Sequence, residues 1–374
     1  MTGLSDVRHM RHALSLAARG LGRTWPNPAV GCVIVKDHRI VGRGWTQPGG
    51  RPHAEAMALA QAGDAARGAT AYVTLEPCSH HGKTPPCSEA LIAAGLSRVV
   101  VALGDPDPRV NGRGFAKLQE AGIAVTTGVL EAEARAQQEG FLSKVTLARP
   151  MVTLKLAMSW DGRIATATGE SQWITGPQAR RRVHAMRATH DAVLVGGGTA
   201  RADDPSLTVR GLGVSHQPVR VVMSRRLDLP LTGHLARTAQ EIPVWIIHGP
   251  EVDDALKSAW QGLGADLIEA SVIAGNIDPK SAFEALGTRG LTRVFCEGGG
   301  ALAASLLSAD LVDRVALFTA GLAIGAEGRP GLGALGLDRL SAATRYQLES
   351  VEQLGPDTLS QWRRGPAHSE GPNE

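Results

Sequence analysis

The chain has 374 residues, of which 39 are Lys or Arg and 36 are Asp or Glu, so its formal net charge is +3. Hydrophobic residues make up 43% of the chain, which excludes a largely disordered protein, and the length predicts about two domains. We find no apolar stretch of the ~18 to 20 residues that span a bilayer, no secretory signal and no basic footprint for nucleic acid.

The first part of the chain alternates between helical and extended patterns. Apolar side chains at helical spacing predict an opening helix over residues 5–19, and two β-rich runs at 29–36 and 40–45 predict a hairpin. A further helix is expected over residues 53–62. Three more strands and two helices are then expected, at residues 69–75, 98–104 and 123–127 and at residues 88–94 and 114–121. This alternation predicts a layered α/β domain with a largely parallel sheet.

A second series of strands begins after Pro150, with helical stretches between them. These strands are expected at residues 152–158, 191–196, 219–224, 244–248, 293–296 and 314–318. We therefore expect a first domain over residues 1–148, a second α/β domain over residues 149–364, and a polar, frayed tail over residues 365–374. No Ser/Gly-rich linker separates the two domains.

The first domain carries three residues of the types that bind zinc. His53 is followed by Cys78 and, nine residues later, by Cys87. One imidazole and two thiolates suit a zinc ion and leave its fourth tetrahedral position for water, which is typical of catalytic sites. Zinc lowers the pKa of bound water toward ~7, and Glu55, two residues from a ligand, is placed to move the proton. This pattern is typical of zinc-dependent nucleobase deaminases, in which the Glu is not a ligand.

Two other interpretations of these residues stay open. A closed structural zinc site would recruit a fourth ligand such as His80 or His81 and would make Glu55 dispensable. Alternatively, the three side chains are buried independently of one another. The other two cysteines, Cys32 and Cys296, lie in apolar strand patterns and are expected to be buried thiols. Four cysteines in so long a chain favour metal binding or burial over disulfides.

The second domain contains two glycine clusters that follow predicted strands, at residues 196–198 and 298–300. Such turns let backbone amides approach a phosphate closely, and Thr199 stands where it would cap a helix or contact a ligand. Neither cluster has the Gly-x-Gly-x-x-Gly spacing, so a Rossmann domain is not indicated. Lys155 and Asp161 lie six residues apart, which places both on one side of an extended segment.

These motifs resemble those of a known family. Four blocks, TWPNPAVG at 24–31, PHAE at 52–55, PCSHHGKTPPC at 77–87 and GDPDPRVNGRG at 104–114, resemble the deaminase half of the bifunctional riboflavin-biosynthesis deaminase/reductases. Blocks at residues 155–162, 171–176, 192–199, 202–210 and 296–302 resemble the reductase half. The resemblance implies a cytidine-deaminase-like N-terminal domain and a dihydrofolate-reductase-like C-terminal domain, with one zinc ion and NADPH as cofactors.

The resemblance also implies roles for individual residues. Asn27 and His80 would contact the pyrimidine in the first domain. NADPH would contact Ala157, Trp173, Thr199, Asp203, Gly298, Gly299 and Gly300. The substrate in the second domain would contact Ser171, Arg187, Leu207, Arg210 and Glu297. Ser224, with Arg225 and Arg226, stands at a strand end where it would hold the extra phosphate of the cofactor. Lys155 and Asp161 are candidates for orienting the substrate or handling a proton.

We therefore predict two consecutive reactions on one chain. The first is hydrolytic deamination of a diamino-ribosylamino-pyrimidinone phosphate, and the second is NADPH-dependent reduction of its ribosyl group to ribityl. The alternative is a zinc deaminase of nucleobases, nucleosides or tRNA with an inactive second domain, although a charge of +3 does not suggest a tRNA-binding surface. We expect a cytoplasmic enzyme with a small-molecule substrate and no nucleic-acid or membrane partner. The sequence leaves the oligomeric state open, and a homo-oligomer is compatible with it.

Overall fold

A computed structural model describes residues 3–81 and 85–365. The chain divides into two compact units, of which the first comprises Met1–Pro150 and Gly290–Thr292 and the second comprises Met151–Arg289 and Arg293–Glu374. The division thus follows Pro150, and a short later segment joins the first unit. Residues 82–84 of the cysteine-containing block, and all of the expected tail except Gly365, lie outside the described residues. Within the described part of the chain, no helix is both long and apolar enough to cross a membrane.

The first unit is built around a five-stranded sheet with the order β2-β1-β3-β4-β5. The strands are β1 (Gly31–Lys36), β2 (Arg39–Trp45), β3 (Thr70–Val73), β4 (Arg98–Val101) and β5 (Ala124–Thr127). The helices are α1 (Leu4–Ala17), α2 (Ala54–Ala62), α3 (Cys87–Ala93), α4 (Arg113–Glu120) and α5 (Glu131–Leu147). Apolar residues of the central strands, including Val33, Ile34, Val99 and Val100, are fully buried between the helices.

This sheet is mixed, whereas the sequence pattern predicted a largely parallel one. β1 pairs antiparallel with both β2 and β3, and only the β3–β4 and β4–β5 pairs are parallel. The reason is the tight hairpin between β1 and β2, which reverses the chain before the strand–helix–strand crossovers begin. The prediction of a layered α/β domain is confirmed, and the prediction of largely parallel pairing is wrong for half of the sheet.

Glycines on β2 allow α2 to lie directly against the sheet, which positions the residues at the start of that helix. A Cβ atom on Gly44 would lie 2.1 Å from the carbonyl oxygen of Ala54, and one on Gly42 would lie 2.2 Å from that of Ala58. Both contacts are with backbone atoms, so no side-chain rearrangement can relieve them. The close approach of α2 to β2 therefore requires glycine at these positions.

The second unit is built around a nine-stranded sheet with the order β11-β10-β9-β8-β14-β6-β15-β18-β17. Its strands are β6 (Met151–Ser159), β8 (Ala192–Gly196), β9 (Val219–Met223), β10 (Val244–His248), β11 (Asp266–Glu269), β14 (Arg293–Cys296), β15 (Arg314–Ala320), β17 (Tyr346–Leu354) and β18 (Asp357–Arg364). Two small ladders add β7 (Arg163–Ala165) with β16 (Arg329–Pro330), and β12 (Val272–Ile273) with β13 (Asn276–Ile277). The helices are α6 (Pro177–Ala188), α7 (Gly197–Asp203), α8 (His234–Arg237), α9 (Asp254–Gly262), α10 (Pro279–Thr288) and α11 (Gly300–Ser308).

The strands from β11 to β15 are all parallel in this sheet, and β18 and β17 add an antiparallel hairpin at one edge. Each of the six strands expected from the sequence is present. Because the carboxyl ends of parallel strands meet at one edge, the ends of β6, β8 and β14 bring their following turns together. This edge carries the cleft of the second unit.

Replacing Gly44 with Ala is expected to destabilise the first unit, because its Cβ atom would overlap the backbone of α2. We expect a loss of about 3 kcal/mol in the free energy of unfolding, or a fall of ~6 to 12 °C in the melting temperature, by calorimetry of the full chain. Gly3→Ala is the control, because a Cβ atom there has nothing within 4 Å. Equal melting temperatures for both variants would contradict the packing described above.

Candidate active sites

Three donor atoms of the first unit converge at the starts of two helices. His53 immediately precedes α2, Cys87 begins α3, and Cys78 lies in the segment between β3 and α3. His53 Nδ1 lies 3.3 Å from Cys87 Sγ and 3.6 Å from Cys78 Sγ, and the three donor atoms all lie within 4.8 Å of one another. Since Zn–N and Zn–S bonds are about 2.0 to 2.3 Å long, one zinc ion fits all three donors. Within the described residues this donor group has three members, as a catalytic site requires.

The pKa values of the two thiols are shifted in opposite directions. Hydrogen bonds from Cys87 and His53 outweigh burial and lower the pKa of Cys78 to about 4, whereas the hydrogen bond to Cys78 and burial raise the pKa of Cys87. The backbone N–H of Cys87 also donates to Cys78 Sγ at 3.3 Å. The two thiols thus share a hydrogen bond, and a bound divalent cation would displace its proton, because a coordinating thiol is deprotonated. The electrostatics of the donor set therefore favour a cation.

Glu55 lies beside this donor group without belonging to it. Its side chain is on the first turn of α2 and is only 3% exposed. Burial raises the pKa of Glu55 to about 7, and the negative charge of Cys78 acts in the same direction. A carboxyl group with a pKa near 7 exchanges protons readily at neutral pH, which is what a general acid–base catalyst requires.

A cavity of about 170 Å³ opens onto this group and is lined by Asn27, His53, Glu55, Cys78 and His80 among others. The Nδ1 atom of His80 is buried and has no hydrogen-bond partner in the described part of the chain. Buried polar atoms in folded proteins almost always have a partner, so a bound ligand or water is needed to complete this one. The structure thus places both residues that the resemblance assigned to the pyrimidine on the wall of one cavity.

Glu76 is a residue of this site that the sequence analysis missed. Its buried carboxylate accepts hydrogen bonds from the backbone amides of Asp105 at 3.2 Å, Gly112 at 3.1 Å and Gly114 at 2.9 Å. These amides belong to the 104–114 loop, which lines the cavity with Asp105, Asp107, Arg109 and Val110. Glu76 therefore links the segment that carries Cys78 to the loop that forms the cavity wall. Its position two residues before Cys78 was visible in the sequence, but its amide partners were not.

The second unit contains a larger cleft, of about 500 Å³, at the carboxyl edge of its parallel strands. Ten of the residues singled out in the sequence line it: Lys155, Ala157, Ser171, Trp173, Arg187, Thr199, Asp203, Leu207, Arg210 and Glu297. They come from β6, α6 and α7, from the segments that follow β7 and α7, and from the turn after β14. Most of the residues that the sequence predicted as contacts in this domain therefore lie around one cleft.

A buried ion pair crosses the floor of the cleft. The guanidinium of Arg187 donates two hydrogen bonds to the carboxylate of Glu297, one of them at 3.0 Å, and a third to the carbonyl oxygen of Thr208 at 2.8 Å. Burial acts to raise the pKa of Glu297, but the charge and hydrogen bonds of Arg187 hold it below its usual value. Burial lowers the pKa of the neighbouring Lys155. This polar floor can orient a charged or hydroxyl-rich ligand.

Two residues that sequence reasoning missed also line the cleft. Arg180 places its guanidinium 4.6 Å from the centre of the Trp173 ring, which is 68% exposed. His184 Nδ1 lies 3.1 Å from the carbonyl oxygen of Thr208, on the loop that carries Leu207 and Arg210. An exposed aromatic ring beside several cations is a surface that suits a nucleotide cofactor.

The remaining predicted residues of the second unit lie outside the cleft lining. Gly299 donates its backbone N–H to Thr199 Oγ1 at 3.1 Å, so the turn formed by Gly298, Gly299 and Gly300 supports a lining residue. The hydroxyl of Ser224 donates to Asp228 at 2.8 Å. These contacts leave a cofactor role for Ser224 and the turn as a prediction.

The expected alignment of Lys155 with Asp161 is wrong. The extended segment β6 ends at Ser159, and Asp161 lies in the turn that follows it. The Asp161 carboxylate accepts hydrogen bonds from the Ser159 hydroxyl and from the amides of Ile324 at 3.2 Å and Gly325 at 2.7 Å. Asp161 therefore holds a neighbouring loop in place, whereas Lys155 faces the cleft.

Comparisons with known proteins agree with these two sites. Residues 4–103 match the family model for the cytidine and deoxycytidylate deaminase zinc-binding region, and residues 150–360 match the model for the RibD C-terminal domain. The riboflavin biosynthesis protein RibD of Escherichia coli is 43% identical, with 95% of this chain and 98% of that protein covered. The RibD of Aquifex aeolicus is 41% identical, with 96% and 98% covered.

Solved structures resemble the whole chain as well. A structure of Acinetobacter baumannii RibD has a TM-score of 0.86 and 39% identity, and the match covers 96% of this chain and 99% of that one. The diaminohydroxyphosphoribosylaminopyrimidine deaminase/5-amino-6-(5-phosphoribosylamino)uracil reductase of Thermotoga maritima has a TM-score of 0.84 and 36% identity, with 96% and 99% covered.

Replacing Cys87 with Ser is expected to abolish zinc binding, because it removes one of three protein donors. Metal analysis of the purified full chain should find about one zinc ion per chain in the unchanged protein and close to none in this variant. Cys296→Ala is the matched control, since Cys296 is a fully buried thiol in β14 and belongs to the other unit. Full zinc occupancy in Cys87→Ser would show that the ion is held elsewhere.

Proposed function

The chain belongs to the RibD family and is a bifunctional deaminase and reductase of riboflavin biosynthesis, and from that premise we propose which substrates and residues it uses. Its cofactors are zinc in the deaminase domain and NADPH in the reductase domain. The first reaction hydrolyses an amino group from a diamino-ribosylamino-pyrimidinone phosphate, and the second reduces the ribosyl group of the product to ribityl. The observation that carries the proposal is the buried Glu55 beside the donor group of His53, Cys78 and Cys87.

The deaminase is assigned to residues 1–148 and the reductase to residues 149–364. In the first domain, His53, Cys78 and Cys87 would hold the zinc ion, which would supply a Lewis acid that brings the pKa of water toward ~7. Asn27 and His80 hold the pyrimidine ring against this centre, and the unpartnered Nδ1 atom of His80 supplies one hydrogen-bonding group.

Glu55 carries the proton in this reaction. Water adds to the ring carbon that bears the exocyclic amine, the C–N bond breaks, and ammonia leaves as a carbonyl forms. The Glu55 carboxylate takes a proton from the attacking water and its carboxyl form returns a proton to the departing nitrogen. A pKa raised to about 7 suits both steps, because neither protonation state is strongly disfavoured at neutral pH.

In the second domain, NADPH supplies the hydride. Ala157, Trp173, Thr199, Asp203, Ser224 and the 298–300 turn hold the cofactor, and Ser171, Arg187, Leu207, Arg210 and Glu297 hold the substrate. The ribosyl ring opens to an imine or aldehyde equivalent, whose carbon accepts the hydride while its nitrogen or oxygen accepts a proton. The buried Lys155 faces this cleft and is placed to deliver that proton or to orient the substrate.

The alternative of a nucleobase, nucleoside or tRNA deaminase with an inactive second domain is not favoured. The second unit matches the RibD C-terminal domain and keeps a cleft of about 500 Å³ with a polar floor. We propose small-molecule substrates only, without nucleic-acid or membrane partners. A cytoplasmic location is supported by four free cysteines, two of which are zinc donors that must stay reduced. A homo-oligomer remains compatible with the sequence.

Glu55→Gln is expected to retain zinc and to lower ammonia release by about 10²- to 10⁴-fold, because the amide cannot carry a proton. Reduction of the separately prepared deaminated product with NADPH should be unchanged in this variant. Glu120→Gln, at the exposed end of α4, is the charge-matched control. Ammonia release at the normal rate by Glu55→Gln would exclude the proposed role of the carboxylate.

Glu297→Gln is expected to lower the reductase activity and to leave the deaminase activity unchanged. The variant leaves the buried guanidinium of Arg187 without its carboxylate, so NADPH oxidation should fall by about 100-fold or more. Ammonia release from the deaminase substrate should stay normal. Measuring the absorbance of NADPH and the release of ammonia in the same assay distinguishes the two activities. Equal loss of both activities would indicate misfolding or a shared site in place of two sites.

A further inference from the structure

The deaminase cavity contains cations that the reaction on the pyrimidine ring does not use. Arg109 on the 104–114 loop and Lys144 on the last turn of α5 both line it. Phe141, Lys144 and Val145 line the same wall, at the spacing that puts three residues on one face of a helix. The side chain of Lys144 is therefore on the face of α5 that lines the cavity.

The two cations differ in how they are neutralised. Arg109 donates to Asp107 through Nε at 2.9 Å and through Nη2, which leaves Nη1 without a hydrogen bond in the described part of the chain. Lys144 is half-buried, and its ammonium forms no hydrogen bond or ion pair with a described residue. Burial lowers the pKa of Lys144, and the positive charge of Arg109 lowers it further. The carboxylate of Asp107 acts in the opposite direction but is itself bound to Arg109, so a further anion would stabilise this partly desolvated ammonium beside a second cation.

Lys144 and the zinc donors reach the cavity from different elements. Lys144 lies on the last turn of α5 and Arg109 lies on the 104–114 loop, whereas His53 and Cys87 lie at the starts of α2 and α3. In the proposed substrate, the phosphate is likewise separated from the reacting ring carbon by the whole ribosyl group. Cations that stand on separate elements of the cavity wall thus suit a phosphate that is separated from the reacting carbon.

We propose that Lys144, with the free Nη1 edge of Arg109, binds the phosphate of the deaminase substrate. This inference rests on the proposed function, since it names the part of that substrate that the two residues recognise. An ammonium and a guanidinium together offer several charge-assisted donors to a phosphate, which strengthens binding without touching the reacting atoms. Lys144 is then a specificity-determining residue: it selects the phosphorylated substrate.

The experiment compares the substrate with the same compound lacking its phosphate, in the zinc-loaded full chain. For Lys144→Gln we expect KM for the phosphorylated substrate to rise about 10- to 100-fold with little change in kcat, because one charge-assisted contact is lost. KM for the dephosphorylated compound should stay as in the unchanged protein. Lys144→Arg should preserve the preference, and Lys36→Gln, which removes a Lys that donates to the carbonyl oxygen of Arg67, is the matched control.

Either of two results would overturn the proposal: an unchanged KM for the phosphorylated substrate in Lys144→Gln, or an equal rise for both compounds. Normal zinc content and NADPH oxidation in the variant show that it has folded. If the unchanged protein releases no ammonia from either compound, the proposed function fails, and inorganic phosphate decides the role of Lys144 separately. Phosphate should then raise the melting temperature of the unchanged protein more than that of Lys144→Gln, and equal shifts would contradict the inference.

Discussion

The deaminase site depends on keeping three acidic groups, Glu55, Cys78 and Cys87, close together in a buried place. The thiolate of Cys78 raises the pKa of Glu55, and Glu55 in turn contributes to raising the pKa of Cys87. Such repulsion in a desolvated site is costly unless a cation compensates it. A divalent ion held by both thiols and His53 offsets the repulsion. The same metal chemistry activates water, so the charge repulsion that favours a bound cation also serves the catalytic use of the site.

The rest of the first unit serves to hold these groups in place. Glycines on β2 allow α2 to approach the sheet, and this fixes the first turn of the helix, where Glu55 lies two residues after the zinc donor His53. The carboxylate of Glu76 accepts hydrogen bonds from three backbone amides. It thereby attaches the 104–114 loop to the segment that carries Cys78. The metal donors and the cavity wall are therefore connected by hydrogen bonds through Glu76, so a displacement of one is expected to displace the other.

The sequence predicted the chemistry of both sites better than it predicted their supporting structure. Zinc donors and Glu55 follow from residue type and spacing, and most strands follow from their apolar runs. Helix α5 was missed because its buried face includes small and polar residues such as Gln138, Gly140 and Ser143, so its apolar periodicity is weak. The edge strand β17 was missed because nearly all of its residues are exposed, so no alternation of burial marks it. Partners such as the amides bound by Glu76 are set by the tertiary fold and leave no local pattern.

The two active sites share an electrostatic arrangement despite their different folds. In the deaminase cavity Arg109 is bound to Asp107 beside Lys144, and in the reductase cleft Arg187 is bound to Glu297 beside Lys155. In each case the carboxylate neutralises and orients the guanidinium, and the lysine is left with no acidic hydrogen-bond partner among the described residues. In each site a protonated lysine therefore adds positive charge beside a pair that is itself neutral. The proposed substrate keeps its phosphate through deamination, so the same anionic group would meet a lysine and a paired arginine in both sites.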